Sequence, residues 1–215
     1  MSEHLQEMRE NYRKAVLDRE HMDEDPVRQF AGWFEQAVSS GLPEPNAMTL
    51  ATADAAGRPS ARVVLLKGLE PGGFVFFTNY RSRKGRELAD NPRAALVFFW
   101  MELERQVRIE GRVDRISEQA STAYFQSRPV GSQIGAWASP QSEAIPDRQY
   151  LEKRVSDLFL QYPGDESLPR PEHWGGYILV PDRIEFWQGR EDRLHDRFEY
   201  QRLDDGRWEI FRLAP

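Results

Sequence analysis

Between Ala47 and Thr78 the chain runs through three alternating, strand-like segments, MTLATA, SARVVLLKG and GFVFFT, separated only by DAAG and LEPGG. A parallel crossover needs about a dozen residues or more, so connections of four or five residues force antiparallel hairpins. This meander restricts the fold more than any other feature of the chain. Further strand-period runs follow at Ala94 to Trp100 and at Gln106 to Ile116, where Val107, Ile109 and Val113 alternate. The last third holds GGYILV, RIEFWQ, RFEYQRL and RWEIFRL, the final two joined by Asp204-Asp205-Gly206.

Helical period appears between these runs. Asp25-Pro26 supplies an N-cap and a first-turn proline, and Val27, Phe30, Ala31, Phe34 and Val38 recur at helical spacing up to Gly41. Ser82 can cap a short helix through Leu88 that ends near Asn91-Pro92, and Ser117 another to about Gln126. Leu151, Val155, Leu158, Phe159 and Tyr162 mark one more amphipathic helix, and Pro163 to Pro171 reads as a surface connection. SRPVGSQIGAWASPQS, rich in small and polar residues, reads as a binding loop. Seven to nine strands in hairpin succession with inserted helices predict an α+β protein on an antiparallel barrel. Residues 1–22 are expected as a polar arm and 23–215 as one domain. No glycine-rich dinucleotide fingerprint follows a strand, which disfavours a Rossmann arrangement.

Composition narrows the chemistry. There is no cysteine, which removes disulfides, thiolate nucleophiles and iron–sulfur ligation. His4, His21, His173 and His195 show no ligand spacing, so no metal is expected and redox chemistry would need an organic cofactor. The net charge of −6 argues against nucleic acid, yet Arg58 to Arg112 carries +5 and the remainder −11. A basic block in an acidic chain suits a small anionic ligand. Only four of the 29 basic residues are lysines, so arginine clusters are common in this chain and carry less weight. No apolar run approaches a membrane span, and the charged N-terminus resembles neither signal nor anchor; a cytoplasmic location is expected.

Two stretches concentrate candidate function. IEFWQGREDRLHDR, from Ile184 to Arg197, sets Phe186 and Trp187 beside Arg190, Arg193, His195 and Arg197. If it is extended, Arg193, His195 and Arg197 share a face, as i, i+2 and i+4 do in a strand. An aromatic wall with convergent cations suits a flat, anionic, aromatic ligand, whereas the plain alternative is a solvated hairpin edge. The second stretch places Arg83 and Lys84 in the first turn of a helix. Cations are unfavourable there unless an anion binds, and the alternative is two exposed basic residues at a frayed end.

RVVLLKG at 62–68, FFTNYRSRKG at 76–85, LERQVRIEG at 103–111, SRPVGSQIGAWASPQS at 127–142 and the Ile184–Arg197 stretch occur in one order. With them the chain resembles, from about Arg9 to Pro215, the pyridoxamine/pyridoxine 5'-phosphate oxidase family of flavin mononucleotide (FMN) enzymes. The resemblance implies a split β-barrel and a homodimer with FMN at the subunit interface. It implies FMN contacts at Arg62, Val63, Val64, Leu65, Leu66, Lys67, Phe77, Thr78, Arg83, Lys84, Gln106, Gln141, Ser142, Trp187 and Arg197. Of these, Arg62, Arg83, Lys84 and Ser142 suit a phosphate, and Gln106 and Gln141 a polar flavin edge; Trp187 can cover an aromatic face. The side chains of Val63 to Leu66 read as core, leaving their backbone for contact.

For substrate the resemblance implies Lys67, Tyr124, Arg128 and Ser132 around a phosphate, Arg193 and His195 over a pyridine ring as the catalytic pair, and Arg9 and Tyr12 on a closing arm. The implied reaction is oxidation of pyridoxine 5'-phosphate or pyridoxamine 5'-phosphate to pyridoxal 5'-phosphate. Hydride passes to the flavin, and molecular oxygen takes the electrons to give hydrogen peroxide. A flavin reductase, or a non-catalytic FMN or pyridoxal phosphate carrier, would not need the second phosphate set.

Overall fold

In the computed structural model residues 12–70, 72–163 and 168–215 are described; Arg9 and the first half of the expected arm lie outside them. Nine strands occur among the described residues: β1 (Ala47–Ala53), β2 (Pro59–Leu65), β3 (Gly68–Glu70), β4 (Gly73–Asn79), β5 (Arg93–Trp100), β6 (Arg105–Arg115), β7 (Trp174–Gln188), β8 (Asp196–Arg202) and β9 (Trp208–Arg212). Their order is β2-β1-β5-β6-β7-β4-β3, with β8 on β7 and β9 on β8. The pairs β3/β4, β4/β7, β7/β8 and β8/β9 are antiparallel. Five α-helices accompany them among the described residues: α1 (Pro26–Ser39), α2 (Arg83–Asp90), α3 (Glu118–Ser127), α4 (Val130–Ala138) and α5 (Arg148–Gln161). This is the α+β, antiparallel split-barrel class expected from the sequence. Among the described residues no helix is long and apolar enough to cross a membrane, and no group of acidic and histidine side chains could hold a metal.

The chain forms two compact units, each discontinuous in sequence. One comprises Met1–Thr49, Ala95–Gly111 and Pro181–Pro215. Its core forms around α1, where Asp25 accepts the Val27 N–H at 2.8 Å as N-cap. The buried stripe of this helix is Phe30, Trp33 and Ala37, whereas Val38 is 51 % exposed, so the apolar face is turned towards Trp33 from the one expected. Phe30 packs on Phe98 at 4.9 Å between ring centres, and Trp33 meets Phe186 edge-on at 5.1 Å.

The other unit comprises Leu50–Ala94 and Arg112–Val180. Here α2 begins at Ser82, whose hydroxyl accepts the Gly85 N–H, and Gly85 is required because a Cβ would lie 2.2 Å from the Tyr80 carbonyl oxygen. The expected loop at 127–142 is largely helix, α4. Ile134 and Ala138, one turn apart, are buried, and Ile134 joins Phe125, Leu168 and Trp174 in a core cluster. Gln133 donates to the Arg128 carbonyl at 2.8 Å and accepts the Leu168 N–H at 2.8 Å, so packing overrides the weak helix preference of Gly131 and Gly135.

A second correction concerns β7. GGYILV and RIEFWQ are one strand, continuous through Pro181. Residues 174–179 pair with β4 and 183–188 with β8, so Pro181 falls between these two ladders.

Candidate active site

The hairpins and α2–α4 surround a cleft of about 680 Å³ in the second unit. Val63, Val64, Leu65, Lys67, Phe77, Thr78, Lys84, Tyr124, Arg128, Ser132 and Gln141 line it, so eleven residues expected at the site converge here. One wall is an aromatic stack: Phe77 lies 3.9 Å from Tyr124 and 5.4 Å from Trp174, centre to centre. The Arg128 guanidinium sits 4.7 Å over the Trp174 ring. Its Nη2 donates to the Ser132 carbonyl at 3.0 Å, while its buried Nη1 has no hydrogen-bond partner. A buried guanidinium nitrogen without an acceptor is costly, and it leaves Arg128 with unused donor capacity beside the cleft.

At the α2 end, Lys84 Nζ donates to Gln141 Oε1 at 3.0 Å and to Thr78 Oγ1 at 3.3 Å. Burial, and then the charge of Arg62, pull its pKa below the ordinary lysine value. Beneath lies Glu87, a buried carboxylate. It accepts from Thr52 Oγ1 at 2.5 Å, Ser60 Oγ at 2.6 Å, Arg83 Nε at 2.8 Å and Arg62 Nη2 at 3.2 Å. Burial alone would raise its pKa, but the hydrogen bonds from Ser60, Thr52, Arg83 and Arg62 outweigh it and hold the carboxyl at about 2. Arg62 gives its remaining terminal N–H groups to Leu50, Thr52 and Ser60, so its fork faces the protein and not the cleft. Arg62 and Arg83 both pair with Glu87, so this group with Lys84 keeps a net positive charge, which suits an anion. These residues could hold the phosphate of a cofactor, with the aromatic stack beside it.

Several expected residues stand differently. Val63 is 68 % exposed, because β2 alternates and turns this side chain outward; only Leu66 of the four is fully buried. Lys67 and Ser142 are exposed, and Ser142 has a left-handed φ of 72°. Gln106 is half-buried on β6.

The first unit carries the Ile184–Arg197 stretch. Arg193, His195 and Arg197 do not lie on one extended face. Glu191–Arg193 form a 3₁₀ turn in which Asp192 and Arg193 have φ of 53° and 61°, and β8 begins only at Asp196. The two acidic residues before Arg193 and the turn they enter break the alternation that the extended reading assumed. Arg197 makes a two-pronged ion pair with the buried Glu185, at 2.8 Å and 3.0 Å, and donates to the Ala214 carbonyl. Glu185 also meets Arg108 at 2.9 Å.

His195 lies 4.6 Å from Trp187 and 6.0 Å from Tyr12, ring centre to ring centre. Burial, then the charge of Arg193, lower its pKa, while Asp196 opposes them. Glu87, Glu185 and Glu104 are structural participants that charge pattern alone did not single out. Only Glu87 left a signal, standing one helical turn after Arg83.

Fold and site together define a split-barrel protein suited to a phosphate-bearing aromatic ligand. The pyridoxamine 5'-phosphate oxidase family model matches residues 34–162, and the model for the pyridoxine 5'-phosphate oxidase C-terminal dimerisation region matches 174–215. The chain belongs to the pyridoxamine 5'-phosphate oxidase family. It is 61 % identical over 212 residues to a pyridoxine/pyridoxamine 5'-phosphate oxidase of Paraburkholderia phytofirmans, covering 98 % of this chain and 99 % of the relative. To the protein of that name from Trichormus variabilis it is 55 % identical over 215 residues, with full coverage of both. Among solved structures, PhzG from Burkholderia lata, in complex with tetrahydrophenazine-1-carboxylic acid, superposes with a TM-score of 0.87 at 32 % identity, over 93 % of this chain and 98 % of that one. A pyridoxamine 5'-phosphate oxidase-related, FMN-binding protein from Nostoc punctiforme shares the fold, with a TM-score of 0.71 at 21 % identity over 90 % of this chain and 100 % of that one.

Proposed function

We propose that this protein is an FMN-dependent oxidase that converts pyridoxine 5'-phosphate and pyridoxamine 5'-phosphate to pyridoxal 5'-phosphate. Molecular oxygen is the acceptor, hydrogen peroxide the co-product, and ammonia leaves from the amine substrate. The observation that carries the reading is one aromatic-walled cleft lined by Lys84, with Arg62 and Arg83 paired to Glu87 beside it, and by Arg128, whose Nη1 has no acceptor. Two phosphate-bearing molecules need two such cationic positions, whereas a flavin reductase or a simple carrier needs one. The full-length relatives named above support the same activity.

When bound, FMN supplies the hydride acceptor. Lys84, Arg83 and Gln141 are assigned to FMN, with Arg62 lending charge from behind. Lys67, Tyr124, Arg128 and Ser132 are assigned to the substrate phosphate. Arg193 holds an anionic ring substituent, and His195, its Nδ1 held by the Arg190 N–H, presents Nε2–H as a donor that orients the substrate. Trp187 covers a ring face, and Arg197, aligned by Glu185, closes the set. We further infer that the chain works as a homodimer through 174–215, with FMN at the subunit interface, and that residues 1–22 act as an arm on the single domain 23–215.

The test is direct. FMN-loaded protein incubated with pyridoxine 5'-phosphate in air should form aldehyde and consume oxygen in equal amounts. Failure to form aldehyde, from protein shown to hold FMN, would overturn the assignment.

A further inference from the structure

Glu104 closes the 3₁₀ turn Met101–Leu103 and holds a left-handed φ of 54° while only 7 % exposed. A glutamate is an unfavourable residue both for that conformation and for burial, so something must hold it there. Its two ends face two different segments. Oε2 of the carboxylate accepts consecutive backbone N–H groups, from Arg13 at 2.9 Å and Lys14 at 3.0 Å. Its carbonyl oxygen accepts the Gly189 N–H at 2.8 Å and Gln188 Nε2 at 3.1 Å. One residue thus fastens the strap at residues 12–14 with its side chain and the end of β7 with its main chain.

Tyr12 comes immediately before the fastened pair. Its ring meets Trp187 edge-on at 5.8 Å and lies 6.0 Å from His195. It rests on Gly189, where a Cβ would come within 2.7 Å of the ring carbons. The other ties near Tyr12 are weaker: the Arg13–Glu191 pair at 2.5 Å is more than half exposed on both sides, and Lys14 Nζ reaches the Glu102 carbonyl at the surface. Leu17 N–H donates to the buried Asp196, five residues further along.

We propose that Glu104 is the positioning residue that docks the strap and so places Tyr12 over Trp187 and His195. It touches neither ring. It sets where the tyrosine stands, and the docked tyrosine shields the histidine and the substrate against it from water. The kinetic part of this inference rests on the proposed oxidase activity; the structural part does not.

Amide hydrogen exchange on FMN-loaded protein tests the docking. Glu104→Gly suits the left-handed backbone and deletes the acceptor, so exchange at Arg13 and Lys14 should accelerate about tenfold or more while Ile109 and Phe186 keep their protection. Glu104→Gln, which retains one acceptor oxygen, should restore most of the protection. Gly189→Ala should release the same two amides by displacing Tyr12. Kinetically, Glu104→Gly should raise KM for pyridoxine 5'-phosphate about tenfold with a much smaller fall in kcat; Tyr12→Ala should do the same, and the double variant no more than either. Unchanged exchange at Arg13 and Lys14 in Glu104→Gly would overturn the proposal, as would additive kinetic effects or protection lost equally in the core. If the exchange results hold but wild type forms no aldehyde, the docking role stands and the assigned reaction fails.

Discussion

The backbone N–H of Arg190 donates to Nδ1 of His195 at 3.1 Å. Nδ1 is thereby the acceptor, and the neutral ring carries its proton on Nε2, the atom left for a ligand. Burial and Arg193 favour the same uncharged state. A histidine with a lowered folded pKa binds fewer protons than its unfolded counterpart, so this stabilisation is present above the ordinary value of 6.5 and is lost as pH falls through the folded value. Turnover that needs the neutral ring should therefore persist somewhat below pH 6.5. Arg193→Ala, by removing a neighbouring cation, should move the titration of His195 upward, as read from its imidazole NMR signals. A downward move would show that Arg193 does not act on the ring.

Glu87 loses its stabilisation in the same direction, at lower pH. Its ordinary pKa is 4.5 and its folded value about 2, so its stabilisation is complete above 4.5 and is lost as pH falls towards 2. Glu87→Gln should lower stability at pH 7 by on the order of 2 kcal/mol, because Arg62 is left half-buried without its counter-ion. The gap between variant and wild type should shrink in denaturant titrations at pH 3. An equal gap at both pH values would locate the effect in packing.

Cofactor and chemistry should separate by mutation. Lys84→Ala removes a charge-assisted contact and should weaken FMN binding roughly ten- to a hundredfold, read by quenching of flavin fluorescence. Arg193→Ala and His195→Ala should keep FMN and lose turnover by roughly a hundredfold or more. The reverse pattern would exchange the roles assigned to the two clusters.

The dimer can be tested by complementation. Arg128→Ala and His195→Ala, each inactive, would be unfolded and refolded together. If each site takes Arg128 from one chain and His195 from the other, half of the dimers are mixed, and each mixed dimer holds one intact site. Activity should return to roughly a quarter of wild type. No recovery, from a mixture shown by mass to contain mixed dimers, would mean that both residues come from one chain.

The strands were legible because alternation and short turns leave few choices. β1, β2 and β4 fall within a residue or three of the runs read from the sequence, and the caps at Asp25, Ser82 and Ser117 all accept the expected N–H groups. Helix α4 was not legible, since Gly131, Ser132 and Gly135 argue locally for a loop and only the burial of Ile134 against Leu168 and Trp174 decides otherwise. The basic block drew attention to Arg83 and Lys84, but Glu87 reads as one more surface charge. The side chains that bury it, Thr52, Ser60 and Arg62, arrive from 25 to 35 residues away. Periodicity failed at Arg193 because a single turn with left-handed backbone interrupts the strand, and nothing in REDRLHD announces a positive φ at Asp192.

The change of neighbour along β7 bears on how the family can vary in length. On one side of Pro181 the register is tied to β4, on the other to β8. Side chains in a strand alternate faces, so inserting or deleting one residue between Val180 and Arg183 would exchange the apolar face of Ile184 and Phe186 with the face on which buried Glu185 pairs with Arg108 and Arg197. Two residues would restore the faces, though not the pairing partners. Viable insertions or deletions at this point should therefore come in even numbers, whereas the turn at Asp204-Asp205-Gly206, exposed and bound only to its own hairpin, is free to gain or lose residues singly.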